Sequence, residues 1–331
     1  MDFVKPEDLT AKLQTFTLTN KQDTKVTILN LGGIVHEFIL NSSTAPQNLL
    51  VSCSPLVDYV LNPFNVNKQI GRVAGRIGNA SFKLGEQLIK VEANQGVNCL
   101  HGGTAGMGNQ WFAGEQVSTN KCRLSKLLTP EVDGFPGELE VMLEYELTED
   151  NQLILTYHAT AQSPSVFDPT SHTYWRIEPT KSSLQINGEH YQLDQQQLPV
   201  AVDNNPVYDF KQPKNLEQAL SALQAFTGNP VQAFDEVYQV GKQVNNSLPL
   251  VAELNVASLY NLKVYSARNG LVIFTANPLD VKAHDQGVFN SLALEPQTLP
   301  NSLNQPEFGE IRLEAGQTTS CQIVFAVTSL I

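Results

Sequence analysis

The chain has 331 residues, 41% of them hydrophobic and 16% charged, with a formal net charge of −12 at pH 7. That composition suits a soluble globular protein with a sizeable core. The acidic balance speaks against a nucleic-acid partner, because the phosphate backbone is held by Lys and Arg, and no run of about 18 apolar residues occurs that could span a membrane.

The length fits one large all-β domain, so residues 1–331 are expected to form a single unit. The stretch Met1–Asp8 has no basic start followed by an apolar run and does not read as a secretory signal. Cys53, Cys99, Cys122 and Cys321 lack Cys-x-x-Cys spacing. They predict buried, reduced thiols in a cytoplasmic protein and no zinc site.

In chain order, Lys25–Leu40 shows two period-two runs with a change of face between Ile28 and Leu29, then Gly32-Gly33 and a second run. This predicts a bulged strand, a turn and another strand, with His36 structural. Gly71–Ala80 is Gly-rich and carries Arg72 and Arg76. Ser81–Val91 alternates around Gly85-Glu86 and predicts a hairpin. Asn94–Gly103 ends in Leu100-His101-Gly102-Gly103, a turn that removes side-chain bulk beside an imidazole.

Glu138–Ala161 is the clearest hairpin. Leu139, Val141, Leu143, Tyr145 and Leu147 alternate with acids, and Glu149-Asp150-Asn151 turns the chain back. Asp168–Ile177 leaves a turn at Pro169 and enters an aromatic strand, with His172 at its start. Asn187-Gly188 is a hairpin signal. Asn215–Gln224 predicts a short peripheral helix, because Leu216, Leu220 and Leu223 share one face. Ala257–Phe274 reads as β with a turn at Ala267–Gly270. Ser291–Glu295 reads as a strand ending on an acid before Pro296, and Thr318–Leu330 as a last strand that closes a sheet. Short strands with almost no helix argue for antiparallel sheets packed as a sandwich.

Arg76, His101, His172 and Glu295 fall at predicted strand ends or turns, and Ala233–Val237 adds Asp235. Two imidazoles, two carboxylates and a guanidinium, with no nucleophile motif or metal-ligand spacing, point to acid–base chemistry on a neutral polar molecule. Taken singly, a histidine or acid at a strand end is more often a structural or surface residue than a functional one.

Five ordered stretches together resemble the aldose 1-epimerase (galactose mutarotase) family over nearly the whole chain. Gly71–Asn79 resembles its Gly-Arg…Asn-Arg-Ile signature, and Asn94–Gly103 its Asn-x-x-x-Asn-x-Leu-His-Gly-Gly signature. Pro169–Trp175 resembles Pro-Thr-Asn-His-Ser-Tyr-Phe, and Phe234-Asp235 an aromatic-Asp pair. Leu294–Gln297 followed by Pro300–Phe308 resembles the C-terminal Leu-Glu-x-Gln…Pro…Asn-x-Pro-x-Phe. The resemblance implies a large antiparallel β-sandwich with few short helices and an open sugar cleft. It implies His172 as general acid and Glu295 as general base, with Arg76, His101, Tyr174 and Asp235 binding the sugar. It implies a small neutral sugar as partner, no metal or other cofactor, and a monomer or homodimer. Three positions depart from the pattern: Gly75 and Ser171 stand where the family has Asn, and Val272 where it has Gln.

The chemistry needs only two such groups. A base takes the proton from the C1 hydroxyl, an acid protonates the ring oxygen, and the opened aldehyde rotates and recloses. Carboxylates such as Asp235 are expected to favour charged His172. Trp111, Phe112, Tyr174 and Trp175 are candidates to stack on the sugar or to pack in the core. Competing readings are a glycosidase using Asp235 and Glu295, a non-catalytic sugar-binding module, and an epimerase of a disaccharide such as maltose.

Overall fold

The computed structural model describes residues 5–41, 45–241, 247–257 and 259–330. Its backbone is mainly antiparallel sheet. The largest sheet has nine strands, in the order Ala113–Ser118, Lys121–Leu128, Leu139–Leu147, Gln152–Ala161, Thr318–Ser329, Tyr260–Ser266, Leu250–Val256, Ser182–Ile186 and Lys214–Asn215. A six-stranded sheet runs Tyr174–Arg176, Ser291–Gln297, Gly270–Ala276, Asp235–Val240, Gly188–Leu193, Pro199–Asp203. A four-stranded sheet holds Thr15–Thr19, Lys25–Leu29, Val35–Leu40 and Gln47–Asn48.

The two larger sheets pack face to face, as the period-two pattern dictates. Leu139, Val141, Leu143, Tyr145 and Leu147 point into the same core as Trp175, Leu271, Ile273, Leu292 and Leu294. Leu139–Leu147 and Gln152–Ala161 pair as the predicted hairpin, with Leu139 opposite Ala161. On the outer face, Glu144 accepts from Lys121 Nζ at 3.2 Å and from Arg123 Nε at 2.7 Å. Lys25–Leu29 and Val35–Leu40 also pair as expected, with a register shift between Thr27 and Ile28. His36 has a structural partner, its Nδ1 lying 2.8 Å from the Tyr59 hydroxyl.

The helix is present as Leu216–Thr227, with the Asn215 side chain capping Gln218 N–H at 3.1 Å and Leu216, Leu220 and Leu223 buried. The cysteines are free thiols, three buried and Cys321 partly exposed. None of the described helices is long and apolar enough to cross a membrane. Of the predicted run Ala257–Phe274, Ser258 lies outside the described residues.

Three expectations change. Asn187-Gly188 is no hairpin: Ser182–Ile186 belongs to the nine-stranded sheet and Gly188–Leu193 to the six-stranded one. Two adjacent strand patterns cannot reveal that the chain crosses between layers there. The strand carrying Glu295 does not end on the acid but continues to Gln297, with Leu271 opposite Pro296. Proline is tolerated because the neighbouring strand on its other side pairs only with Ser291–Ala293. Thr318–Ser329 lies inside its sheet, between Gln152–Ala161 and Tyr260–Ser266, rather than closing an edge.

Arg72 also acquires a role. It is fully buried and donates to both carboxylate oxygens of Asp133, Nε to Oδ2 at 2.7 Å and Nη2 to Oδ1 at 3.0 Å. It further donates to the Pro136 and Gly137 carbonyls and to Ser165 Oγ. Removing one member strands the other without water. Arg72→Met should therefore cost about 3–5 kcal/mol, while Arg72→Met with Asp133→Leu should recover most of it. Urea denaturation midpoints of the two variants measure this directly.

Candidate active site

The six-stranded sheet has one face in the core and one in a cleft, and alternation assigns the side chains. Leu292 and Leu294 point inward, so Glu295 and Gln297 point outward. Ile273 and Leu271 are inside, which leaves Val272 and Phe274 outside. Tyr238 is inside and Asp235 outside, and Trp175 is inside with Tyr174 outside. Register then places Phe274 beside Asp235 and Val272 beside Glu295.

A second layer covers this face. Arg76–Ile77 pairs with Cys99–Leu100, so Arg76 lies opposite Leu100. The chain then turns at His101, whose φ is 55°, and Gly102, whose φ is 82°. A Cβ on Gly102 would stand 2.2 Å from the Gly71 carbonyl oxygen, which only glycine permits. The C-terminal Pro-Asn stretch locks this layer, with Asn301 N–H donating to Arg76 O and Asn301 Oδ1 accepting from Gly78 N–H. His172 is held by its own backbone, which donates to Lys68 O at 2.9 Å and accepts from Asn67 N–H at 3.1 Å.

All six residues singled out from sequence, Arg76, His101, His172, Tyr174, Asp235 and Glu295, line one cavity of about 160 Å³. His172 Nε2 and Glu295 Oε1 are 3.5 Å apart, both side chains almost fully buried. The His101 and His172 rings meet edge to face with centroids 5.3 Å apart. Arg76 donates from Nε to Gln95 Oε1 at 2.7 Å and from Nη2 to Asp235 Oδ2 at 3.1 Å, which fixes the Asp235 carboxylate. The Tyr174 hydroxyl is already donated to Phe64 O, so this residue presents its ring.

Burial controls the charges here. It pushes the His172 imidazole down to about 4, and nearby Lys68 acts in the same direction. This reverses the expectation that carboxylates keep His172 charged, because the desolvation of a buried imidazolium outweighs them. Burial also pushes the Glu295 carboxyl well above its usual range. Asp235 adds to that rise and Arg76 opposes it. His101 is held neutral by burial, then by His172 and Arg76. Both shifts favour the neutral forms, a protonated Glu295 carboxyl and an uncharged His172 imidazole, over the ion pair.

Four buried polar atoms at the cleft lack a partner among the described residues: His172 Nδ1, Glu295 Oε2 and both amide atoms of Gln297. An unmet buried polar group costs about 1–3 kcal/mol, so such atoms are poised for a ligand. Gln297 was quoted in the C-terminal motif without a role, and only the strand register reveals that it faces the cavity. The aromatic wall is Phe64 and Phe274, not Trp111, Phe112 or Trp175. Trp175 and Phe112 sit in the main core, and Trp111 does not line the cavity. Phe64 comes from a loop that carries no periodic signal.

His101, His172 and Glu295 are also close enough for metal ligation, their donor atoms all within 4.8 Å of one another. The hydrogen bonding favours another use. Gly75 N–H donates to His101 Nδ1 at 3.3 Å, which leaves the proton of the neutral ring on Nε2. A metal-binding histidine has the opposite arrangement, donating its second nitrogen to an acceptor. His101 is thus a hydrogen-bond donor to the cavity.

The comparisons with known proteins agree with this architecture. The family description "Aldose 1-epimerase" matches residues 14–326. The chain belongs to the aldose 1-epimerase family. A maltose epimerase from Levilactobacillus brevis is 33% identical over 328 residues, covering 95% of this chain and 94% of that one. An aldose 1-epimerase from Streptococcus thermophilus is 32% identical over 331 residues, covering 93% and 92%. Among solved structures, a galactose 1-epimerase from Lactobacillus acidophilus superposes with TM-score 0.79 at 23% identity, covering 96% and 95%. An aldose epimerase homologue from C. elegans superposes with TM-score 0.85 at 21% identity, covering 96% and 100%. This aldose 1-epimerase family member is accordingly an isomerase with an all-β sandwich fold.

The electrostatics of the cleft predict its titration. In imidazole NMR spectra of the free protein, His101 should titrate well below the ordinary histidine range, and His172 should gain its proton only near about 4. Titration of His172 near the ordinary ~6.5 would show a wetter cleft.

Proposed function

We propose that this enzyme interconverts the α and β anomers of a free aldohexose of the glucose or galactose type, with His172 as acid and Glu295 as base. The observation that carries the proposal is the buried His172–Glu295 pair, 3.5 Å apart in a cavity of suitable size.

Ring opening starts with the proton on His172 and Glu295 as carboxylate. Glu295 takes the proton of the C1 hydroxyl, His172 gives its proton to O5, and the C1–O5 bond breaks. The aldehyde forms at C1, and the pair is left as neutral imidazole and protonated carboxyl. That is also the form the empty cleft favours. Rotation about C1–C2 turns the other carbonyl face toward O5. Closure runs the same steps in reverse: Glu295 returns a proton to O1 and His172 takes one from O5. Each half-cycle keeps one proton on the pair, so no outside acid or base is consumed.

The remaining groups position the sugar. Arg76 and Asp235 offer a fixed donor and acceptor, His101 donates from Nε2, and Gln297 offers both amide atoms. Phe64 and Phe274 offer apolar faces to the C–H side of a pyranose. Treatment with a chelator is expected to leave activity unchanged, as acid–base chemistry needs no ion.

A second substrate reading is a disaccharide. It is supported by the relative named maltose epimerase and by a second hollow adjoining the first. A glycosidase reading loses support because Asp235 is tied to Arg76. A pure binding module would have no need of a buried pair poised to exchange a proton.

Polarimetry on fresh α-glucose and α-galactose across pH tests the proposal. Below about 4 His172 and Glu295 both hold protons and the base is lost. Above the raised Glu295 value neither does, and the acid is lost. Between these limits kcat/KM should be flat, with no limb near ~6.5. A limb there, or no acceleration of either sugar, would contradict the assignment.

A further inference from the structure

We propose that the hollow beside the first cavity is an anion site, in which the buried ammonium of Lys68 binds a phosphoryl oxyanion. This binding stands apart from the reading of the first cavity as the anomer site.

The hollow has a volume of about 280 Å³ and shares Pro63, Asn65, Leu100 and His101 with the first cavity. The chain carries 33 acids against 21 bases, yet this lining holds one Lys and no Arg, Asp or Glu. Glu92 does not line the hollow. Its carboxylate accepts from the Thr104 N–H at 2.7 Å and from the Thr104 hydroxyl, so its charge is engaged there. Exposed Thr104 marks the rim through which a ligand enters.

Lys68 is held in place by its backbone. Its N–H donates to Asn65 O at 3.2 Å, and its carbonyl accepts from His172 N–H. The side chain is 2% exposed, and Nζ donates to Asn109 Oδ1 at 2.6 Å. An ammonium has three donors, so two remain. Lys68 has no carboxylate partner among the described residues. Burial lowers the amine to about 8, which leaves it mainly charged at neutral pH. Buried charges are ordinarily paired, and the Asn109 amide meets a hydrogen bond without meeting the charge. The opposite charge that completes the arrangement is one that enters the hollow.

The donors favour several oxygens around one centre. The turn that joins Asn65 to Lys68 places Asn65 where the two hollows meet. The Asn65 side chain makes no hydrogen bond to another described residue, so its amide adds two N–H donors to the two left on Lys68. A phosphoryl group offers at least three acceptor oxygens and can span such a set, with Lys as a point charge. The other amides of the wall are committed to backbone. Asn94 brackets Leu100 through both its amide atoms, and Asn62 donates to Pro278 O. The wall is therefore built before a ligand arrives.

Titration calorimetry at neutral pH and constant ionic strength tests the site with two probes, inorganic phosphate and glucose 6-phosphate. Wild type should bind at one site with a Kd of about 10 mM or below. Lys68→Met keeps the side-chain length and loses the charge, and should weaken that binding by at least ~10-fold, the worth of a charge-assisted hydrogen bond. Asn65→Asp leaves Lys68 in place and supplies a carboxylate from within the chain. Asp tolerates the φ of 51° at this position, so the fold is kept, and phosphate binding should fall by a similar factor. A Lys68-dependent preference for inorganic phosphate assigns the site to the free ion, and a preference for glucose 6-phosphate assigns it to a phosphorylated sugar. No binding of either probe, or affinity unchanged in either variant, would overturn the anion site. Calorimetry needs no turnover, so that result would leave glucose anomerisation standing, and a failure of glucose anomerisation would leave the anion site standing.

Discussion

One proton held between a carboxyl and an imidazole, both almost without water, is the constraint around which the cleft is arranged. His172 and Glu295 stand 3.5 Å apart with nothing exposed to relieve a charge. Dry surroundings raise the carboxyl and lower the imidazole, so the neutral pair is favoured over the ion pair. The charged form needed to open a pyranose differs from it by one short proton transfer, not by uptake from solvent. Arg76 stabilises the carboxylate form of Glu295 while Asp235 opposes it. The two groups that flank the pair thus set the balance between its forms.

The sheet makes that pair possible. A strand such as Ser291–Gln297 presents alternate residues to opposite faces, and every residue in it is buried. Leu292 and Leu294 anchor it in the main core, and the same packing aims Glu295 and Gln297 at the cleft. The precision of the site is therefore inherited from the sandwich rather than from mobile loops. The turn at His101 adds the cover, because Gly102 lets the backbone approach the Gly71 carbonyl and brings the imidazole over the pair.

Much of this was legible in the amino-acid order. Alternation exposed the Leu139–Leu147 and Gln152–Ala161 hairpin, the Lys25–Leu40 bulge and the Leu216–Thr227 helix, since those patterns are local. The six residues lining the cavity were found through ordered motifs. What local pattern cannot carry is the partner layer. The crossover at Asn187-Gly188 looks like a hairpin because turn chemistry is similar in both. The neutrality of His172 could not be foreseen, because desolvation depends on Phe274, Tyr174 and His101 closing round it in space. Gln297 and Lys68 were missed for the same reason. The departures from the family pattern also gain meaning. Gly75 adopts φ 67°, which Asn tolerates, but a Cβ there would lie 3.1 Å from Gln297 Oε1. Glycine leaves that amide open. Ser171 Oγ is turned to Thr173 Oγ1 at 2.8 Å, away from the reacting pair.

The assignment of the base is the point on which the account turns, since two carboxylates face the cleft. Steady-state polarimetry on Glu295→Gln and Asp235→Asn, with folding checked by circular dichroism, distinguishes them most directly. Glu295→Gln keeps size and polarity but cannot accept the C1 hydroxyl proton, so kcat should fall by at least ~10²-fold. Asp235→Asn should raise KM as well as lower kcat, because a sugar ligand acts in both the bound and the reacting state. Near wild-type kcat in Glu295→Gln, with loss in Asp235→Asn, would contradict the account.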